Sequence, residues 1–402
     1  MTALRFGRGL FRGAIVSTVL VAVASCGSRT GLFGPEPSDA IIDAGAGVDR
    51  EARDARVDAT ADVRVDAPID VSIDAIEEPV SCVPGTFTFT VATAQLMFVL
   101  DRSGSMEFEL TSNTTAPPGQ PSRWTALHDS LSLAIMPFTS EIAMGARFYP
   151  ARNANAFDPV AACTQDSQAI AIAPALGNAS TILNVFNQTS PVGGTPTAIA
   201  LQLAAQQISS SRAVARAMVV ATDGVPNCNT ELEGATCTCT SPNPLGCTSD
   251  PSGGSNCLDD TRTIDTITGI FQTRQIPVYV VGIGVTGGLF SATLDAMAVA
   301  GGRPRAGQPK YYAADTPAEM TAAFTAVRDS VAKCSYITPS SPTDADAISV
   351  VIGGVTIARD PSHVDGWDWI DHAYGHLQLF GSACTQATAN NVSGTIACDQ
   401  DR

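Results

Sequence analysis

The 402-residue sequence has few charged residues and carries a strong excess of acidic over basic groups. Its one G-x-G-x-x-G match, residues 282–287, follows a late strand pattern and lacks the acidic residue of a dinucleotide site, so we interpret it as a tight turn. Charged residues make up 15% of the chain and hydrophobic residues 45%, so enough apolar material is present for a sizeable core. The formal net charge of −16 is unfavourable for binding nucleic acid. No Walker, H-E-x-x-H or G-x-S-x-G motif occurs. We therefore expect neither an enzyme nor a small-molecule substrate.

The amino terminus carries an apolar stretch, residues 14–24, that is too short to cross a bilayer as a helix. Three arginines precede it, which is typical of an export signal, and we assign residues 1–25 to a signal peptide. The following Cys26-Gly27 resembles the cleavage site of bacterial lipoproteins. That resemblance implies a lipid on Cys26 and, because Gly rather than Asp follows, sorting to the outer membrane, facing the periplasm or the surface. Without lipidation the protein would be secreted.

Residues 26–90 are predicted to form a lipid-anchored, acidic, low-complexity linker. Aspartates recur there at every fourth position, namely Asp54, Asp58, Asp62, Asp66, Asp70 and Asp74. In a helix this spacing would place like charges next to one another, which is destabilising. We therefore expect a disordered, extended tether.

Three polar segments farther along the chain have the composition of one metal site. They are Asp101-Arg102-Ser103-Gly104-Ser105, Gly193-Gly194-Thr195-Pro196-Thr197 and Thr222-Asp223-Gly224. The first and third follow the apolar runs 94–100 and 217–221, which are typical of buried parallel strands. Because ligands of open α/β sheets bind beyond the carboxyl ends of the strands, distant segments of this kind can meet at one edge.

Carboxylates and hydroxyls without Cys or His favour a hard cation, so we predict Mg²⁺ or Mn²⁺. The pattern resembles the von Willebrand factor A domain and its metal-ion-dependent adhesion site, with the signature D-x-S-x-S, then Thr, then Asp. The matching residues are Asp101, Ser103, Ser105, Thr195 and Asp223. The resemblance implies that the hydroxyls contact the metal, that the carboxylates often do so through water, and that one coordination position accepts a carboxylate from a protein partner.

Alternating helix and strand patterns over residues 91–333 predict an α/β domain with a doubly wound, mostly parallel sheet. Within it, residues 225–257 break the pattern and are interpreted as a disulfide-rich insertion that shapes the partner-binding rim. Residues 334–402 contain short strand patterns and are predicted to form a small β-rich module. One helix is expected over residues 124–140.

Ten cysteines remain once Cys26 is assigned to the lipid anchor, an even number that fits five disulfides in an oxidising compartment. They are Cys82, Cys163, Cys228, Cys237, Cys239, Cys247, Cys257, Cys334, Cys384 and Cys398. We predict that Cys82 pairs with Cys334, that Cys384 pairs with Cys398, and that Cys163 pairs with a cysteine of the insertion. Zinc is the alternative for the insertion, but paired C-x-x-C motifs are absent.

The expected function is that of a cell-envelope lipoprotein that binds a carboxylate-bearing protein ligand through a divalent cation. Its contact with the membrane would be through the amino-terminal lipid only. Two alternatives stay open: a structural envelope component with an empty site, and a non-catalytic subunit of a chelatase-like assembly.

Overall fold

The computed structural model describes residues 78–398, apart from 156, 159, 166–168, 212–213, 242–245, 249–252 and 286–287. The strands are β1 Gly85–Thr88, β2 Thr90–Val91, β3 Thr93–Asp101, β4 Ile142–Tyr149, β5 Ile170–Ala175, β6 Val214–Thr222, β7 Val278–Ile283, β8 Tyr312–Ala314, β9 Ser335–Ile337, β10 Ile348–Ile352, β11 Val355–Ile357, β12 Gly366–Asp371, β13 His376–Phe380 and β14 Val392–Ile396. The helices are α1 Arg123–Ile135, α2 Ala179–Gln188, α3 Thr197–Ala205, α4 Asp260–Arg274, α5 Gly288–Ala300, α6 Pro317–Ala332 and α7 Gly381–Ala387.

The predicted signal peptide, Cys26 and most of the predicted linker lie outside the described residues. Within the described part of the chain, none of the helices combines the length and the apolar character needed to span a bilayer.

A six-stranded sheet lies at the centre of the α/β part, with the strand order β5-β4-β3-β6-β7-β8. Strand β5 is antiparallel to its neighbour, and the other five strands are parallel. The chain passes from β3 to β4 on one side and later to β6 on the other side, so the strand order changes direction between β3 and β6. Ligands of doubly wound sheets bind beyond the carboxyl ends at this position. The predicted doubly wound, mostly parallel fold is confirmed.

Strand β3 is buried on both of its faces. Leu96, Phe98 and Leu100 lie in the core that the sheet shares with α1, α2 and α6. Met97 and Val99 lie in the core that it shares with α3, α4 and α5. A central parallel strand must be apolar on both faces, which explains the continuous apolar run in the sequence.

Helix α1 is shorter than the predicted helix 124–140. It ends at Ile135 and continues as one 3₁₀ turn, Met136–Phe138. Pro137 lies in this turn and has no backbone N–H to donate, so the α-helical hydrogen-bond pattern cannot pass through it.

Two four-stranded antiparallel sheets, ordered β1-β14-β10-β11 and β12-β13-β9-β2, enclose a third core. Strands β1 and β2 precede the central sheet in sequence but belong to these two sheets, and Gly85 pairs with Ile396. The disordered linker was predicted to extend to residue 90, which is wrong for these strands. Polar and apolar residues alternate in this segment, and Phe89 is buried in the third core.

The ten described cysteines form five disulfides: Cys82–Cys398, Cys163–Cys228, Cys237–Cys257, Cys239–Cys247 and Cys334–Cys384. The predicted link between Cys163 and the insertion is confirmed. The predicted pairs Cys82–Cys334 and Cys384–Cys398 are wrong. Pairing of β1 with β14 brings Cys82 to Cys398, and the α7 helix that follows β13 brings Cys384 to Cys334. Five disulfides indicate that the protein folds in an oxidising, exported environment.

Candidate metal centre

The three predicted segments come together at the carboxyl edge of the central sheet. Asp101 ends β3, Asp223 directly follows β6, and these two strands are neighbours. The amide of Gly104 donates to the carbonyl of Gly193 (3.0 Å), so the loop that carries Thr195 lies against the first segment. The sheet topology thus accounts for how residues far apart in sequence meet.

The Asp101 carboxylate is fully buried and accepts hydrogen bonds at both oxygens. Its Oδ1 accepts from the backbone N–H of Ser103 (2.7 Å), and its Oδ2 accepts from the Thr222 hydroxyl. The first bond folds the chain back on itself directly after β3. In this turn the hydroxyl oxygens of Ser103 and Ser105 lie 3.2 Å apart.

Ser105 connects this turn to the second strand end, because its hydroxyl donates to Oδ1 of Asp223 (2.9 Å). Four of the predicted ligands, Asp101, Ser103, Ser105 and Asp223, therefore form one hydrogen-bonded group. Among the described residues, the hydroxyl of Thr195 makes no hydrogen bond to these four side chains. Its loop is adjacent, and its place is set by backbone contacts.

Both carboxylates are deeply buried, and burial disfavours their charged forms. Burial raises the pKa of Asp101 to about 7, and the charge of Asp223 adds to this effect. Burial also raises the pKa of Asp223, although Arg123 opposes the rise. A nearby cation would favour the ionised forms of both groups. Because every donor is an oxygen, the residues present fit a hard divalent cation such as Mg²⁺ or Mn²⁺.

Arg123, the first residue of α1, is part of this site and was not identified from the sequence. Its Nη1 donates to Oδ2 of Asp223 (2.7 Å), and both side chains are buried. The guanidinium also donates to the carbonyls of Glu109 and Ser112 and to Oδ1 of Asn113. The pair is 100 residues apart and belongs to no motif. The sequence did offer one indication of its role, since Arg123 is a charged residue at the start of a largely apolar helix.

Arg123 and Ser105 bind different oxygens of Asp223, so the arginine does not replace the serine contact. With both carboxylates ionised and Arg123 protonated, the group carries one net negative charge. A bound divalent cation would make the same group positive. Such a site would attract an anion from outside the protein.

The insertion also brings sulfur atoms together, because those of Cys237, Cys247 and Cys257 lie within 4.8 Å of one another. All three belong to disulfides. Zinc is bound by thiolates, which these disulfides do not provide. The structure therefore supports the prediction of disulfides over zinc in the insertion.

Residues 96–225 match the family described as von Willebrand factor type A domain. Similar solved structures include the pilus adhesin SpaC from Lactobacillus rhamnosus GG, at 16% identity and a TM-score of 0.42, covering 78% of this chain and 40% of SpaC. A variant of the PilB minor pilin from Streptococcus sanguinis is 14% identical with a TM-score of 0.41, covering 60% of this chain and 61% of PilB. The manganese-loaded TRAP protein of Plasmodium vivax is 16% identical with a TM-score of 0.36, covering 60% of this chain and 78% of TRAP.

This chain spans less than two thirds of the length of SpaC and of PilB. The comparison with curated proteins finds no match. The family match covers the strand ends that carry Asp101 and Asp223, together with the intervening loop that carries Thr195. Residues 96–225 of this chain, which carry the candidate site, are therefore similar to the von Willebrand factor type A domain.

Proposed function

We propose that this chain is a non-enzymatic envelope lipoprotein whose von Willebrand factor type A domain captures a protein ligand through Mg²⁺ or Mn²⁺. The observation that supports the proposal best is the group of oxygen donors at the switch between β3 and β6, which includes two buried carboxylates, with Arg123 paired to Asp223. The residues that would hold the cation are Asp101, Ser103, Ser105, Thr195 and Asp223.

The chemistry that the cation would supply is attraction of a carboxylate from the partner. The hydroxyls of Ser103, Ser105 and Thr195 are neutral donors, so they would leave most of the cation's charge uncompensated. Arg123 neutralises part of the charge of Asp223 and strengthens this effect. The domain would thus discriminate in favour of partners with an exposed acidic side chain.

The location that we propose is the outer membrane, with the lipid on Cys26 as the anchor and the acidic segment that precedes Cys82 as a tether. The five disulfides support export. A tether of this length would let the folded part search for partners at some distance from the membrane surface.

Thermal unfolding in a Mg²⁺ titration tests whether the site binds a cation. A ligand that binds only the native state stabilises it by about 2.7 kcal/mol at 100 times its Kd. We expect a saturable rise in unfolding temperature with Mg²⁺ or Mn²⁺ that EDTA reverses. An unchanged unfolding temperature up to millimolar Mg²⁺ would contradict the proposal.

The buried Arg123–Asp223 pair favours one rival function, a structural envelope component in which the arginine replaces the cation. Capture from envelope extracts of the source organism separates the two. The proposal predicts a protein that the immobilised domain retains in Mg²⁺ and releases in EDTA, and that an Asp101→Asn domain does not retain. Retention that is indifferent to EDTA would favour the structural role.

A further inference from the structure

The insertion that begins at Val225 holds Thr195 through one of its own residues. The amide N–H of Thr195 donates to Oδ1 of Asn227 (2.7 Å), and the amide N–H of Asn227 donates back to the carbonyl of Thr195 (3.0 Å). Both peptide groups of Thr195 are thus fixed by Asn227. The Thr195 side chain, in contrast, makes no hydrogen bond to the other four predicted ligands among the described residues.

The orientation of the Asn227 side chain is itself fixed by the insertion. Its Nδ2 donates to the hydroxyl of Thr240 (3.1 Å), and that hydroxyl donates to the carbonyl of Asn256 (2.7 Å). The Asn227 amide therefore points its oxygen at Thr195 and its nitrogen into the insertion. A flipped amide would lose both contacts.

The disulfide Cys163–Cys228 packs directly against the residue before Thr195. A Cβ atom added to Gly194 would lie 2.7 Å from Sγ of Cys228 and 3.3 Å from Sγ of Cys163. The amide of Gly194 donates to the carbonyl of Ala162 (2.9 Å), next to the same disulfide. The backbone of the Thr195 loop is therefore confined on one side by Asn227 and on another by this cross-link.

We infer that Asn227 and the Cys163–Cys228 disulfide are positioning residues for Thr195, and that the affinity of the site for its cation depends on this disulfide. The inference rests on the proposed function and concerns the regulation of the same site. Metal affinity is sensitive to ligand displacements of about 0.5 Å, and ligands are held to that tolerance by supporting residues. The Thr195 side chain makes no hydrogen bond to the other four predicted ligands among the described residues. Its position therefore depends more than theirs on Asn227 and on the disulfide.

The dependence on oxidation has a consequence for where the site becomes functional. In an exported protein, the thiols of Cys163 and Cys228 form an Sγ–Sγ bond while two electrons and two protons pass to an external disulfide, which becomes a dithiol. Before this step the Thr195 loop lacks one of its two supports. The site would therefore reach full affinity after export, and not in a reducing compartment that also contains Mg²⁺.

Mn²⁺ titration of four purified proteins tests the inference, with calorimetry for affinity and thermal unfolding in EDTA for stability. The proteins are the wild type, C163S/C228S, Asn227→Ala and the control C82S/C398S. The control removes a disulfide next to β1 and β14, which belong to a different sheet from β3 and β6. We expect C163S/C228S and Asn227→Ala to bind Mn²⁺ at least tenfold more weakly than the wild type. The control should stay within about twofold.

Comparing the Mn²⁺ affinity of each variant with its unfolding temperature in EDTA separates a positioning role from a general loss of stability. A purely structural role would lower the unfolding temperature in EDTA and leave the Mn²⁺ affinity unchanged. Asn227→Asp keeps an acceptor for the Thr195 amide and should recover part of the affinity lost in Asn227→Ala. If C163S/C228S does not fold, the two Asn227 variants decide the outcome.

Two results would overturn the inference in distinguishable ways. Wild-type affinity in both C163S/C228S and Asn227→Ala would remove the positioning role and leave the proposed cation site intact. A wild-type protein that binds no Mn²⁺ would remove the proposed function itself, and the inference with it.

Discussion

Asp101→Asn is expected to abolish stabilisation by Mg²⁺ without lowering stability in EDTA. The amide retains an oxygen that accepts from the Ser103 N–H, so the turn after β3 is preserved. The substitution removes one of two buried negative charges that repel each other, and with it one of the charges that would attract the cation. We expect the loss of the whole Mg²⁺-dependent gain, about 2.7 kcal/mol at 100 times the wild-type Kd. The measurement is urea unfolding at pH 8 with and without Mg²⁺.

Asp129→Asn is the matched control, because this aspartate lies on α1 and its side chain is 75% exposed. It changes the net charge by the same amount and should leave the Mg²⁺-dependent gain intact. A full gain in Asp101→Asn would show that any cation binds elsewhere on the protein.

Arg123→Met is expected to be strongly destabilising in EDTA and much less so in Mg²⁺. Removing one partner of a buried ion pair costs about 3–5 kcal/mol because the other charge stays buried without compensation. Here the uncompensated charge is that of Asp223. A bound cation would compensate the same charge, so Mg²⁺ should restore a large part of the stability. Urea unfolding of the variant in EDTA and in Mg²⁺ measures both effects.

A second substitution shows whether the loss comes from Asp223. In EDTA, the double variant Arg123→Met, Asp223→Asn should be more stable than Arg123→Met alone, because the charge of Asp223 is removed together with its partner. Lys333→Met is a control for removing a basic residue from a partly exposed ion pair at the end of α6 and should cost less than about 1 kcal/mol. A loss below about 1 kcal/mol in Arg123→Met, or no recovery in the double variant, would contradict this account of the charges.

The features that local sequence determines could be predicted. Helix α6 begins where its sequence indicates, since the Thr316 hydroxyl accepts from the Glu319 amide and Pro317 occupies the first turn. The ends of β3 and β6 follow from continuous apolar runs that stop at Asp101 and Asp223. Parallel strands place such ends at one edge, so four of the five predicted ligands could be brought together from sequence alone.

The features that depend on distant contacts could not be predicted. The Arg123–Asp223 pair and the contact of Asn227 with Thr195 join segments without a shared motif. Strand β1 pairs with β14 across more than 300 residues, and the pairing of Cys82 with Cys398 follows from it. Hydrophobic patterns define which residues form strands, but they do not specify the partner of an edge strand.

Diffraction from crystals soaked in Mn²⁺, recorded for its anomalous signal, tests the central claim most directly. We predict one strong peak at the carboxyl ends of β3 and β6, within bonding distance of the hydroxyl oxygens of Ser103, Ser105 and Thr195. Asp101 and Asp223 should bind it directly or through water. No peak there at saturating Mn²⁺, with Arg123 still paired to Asp223, would contradict the account.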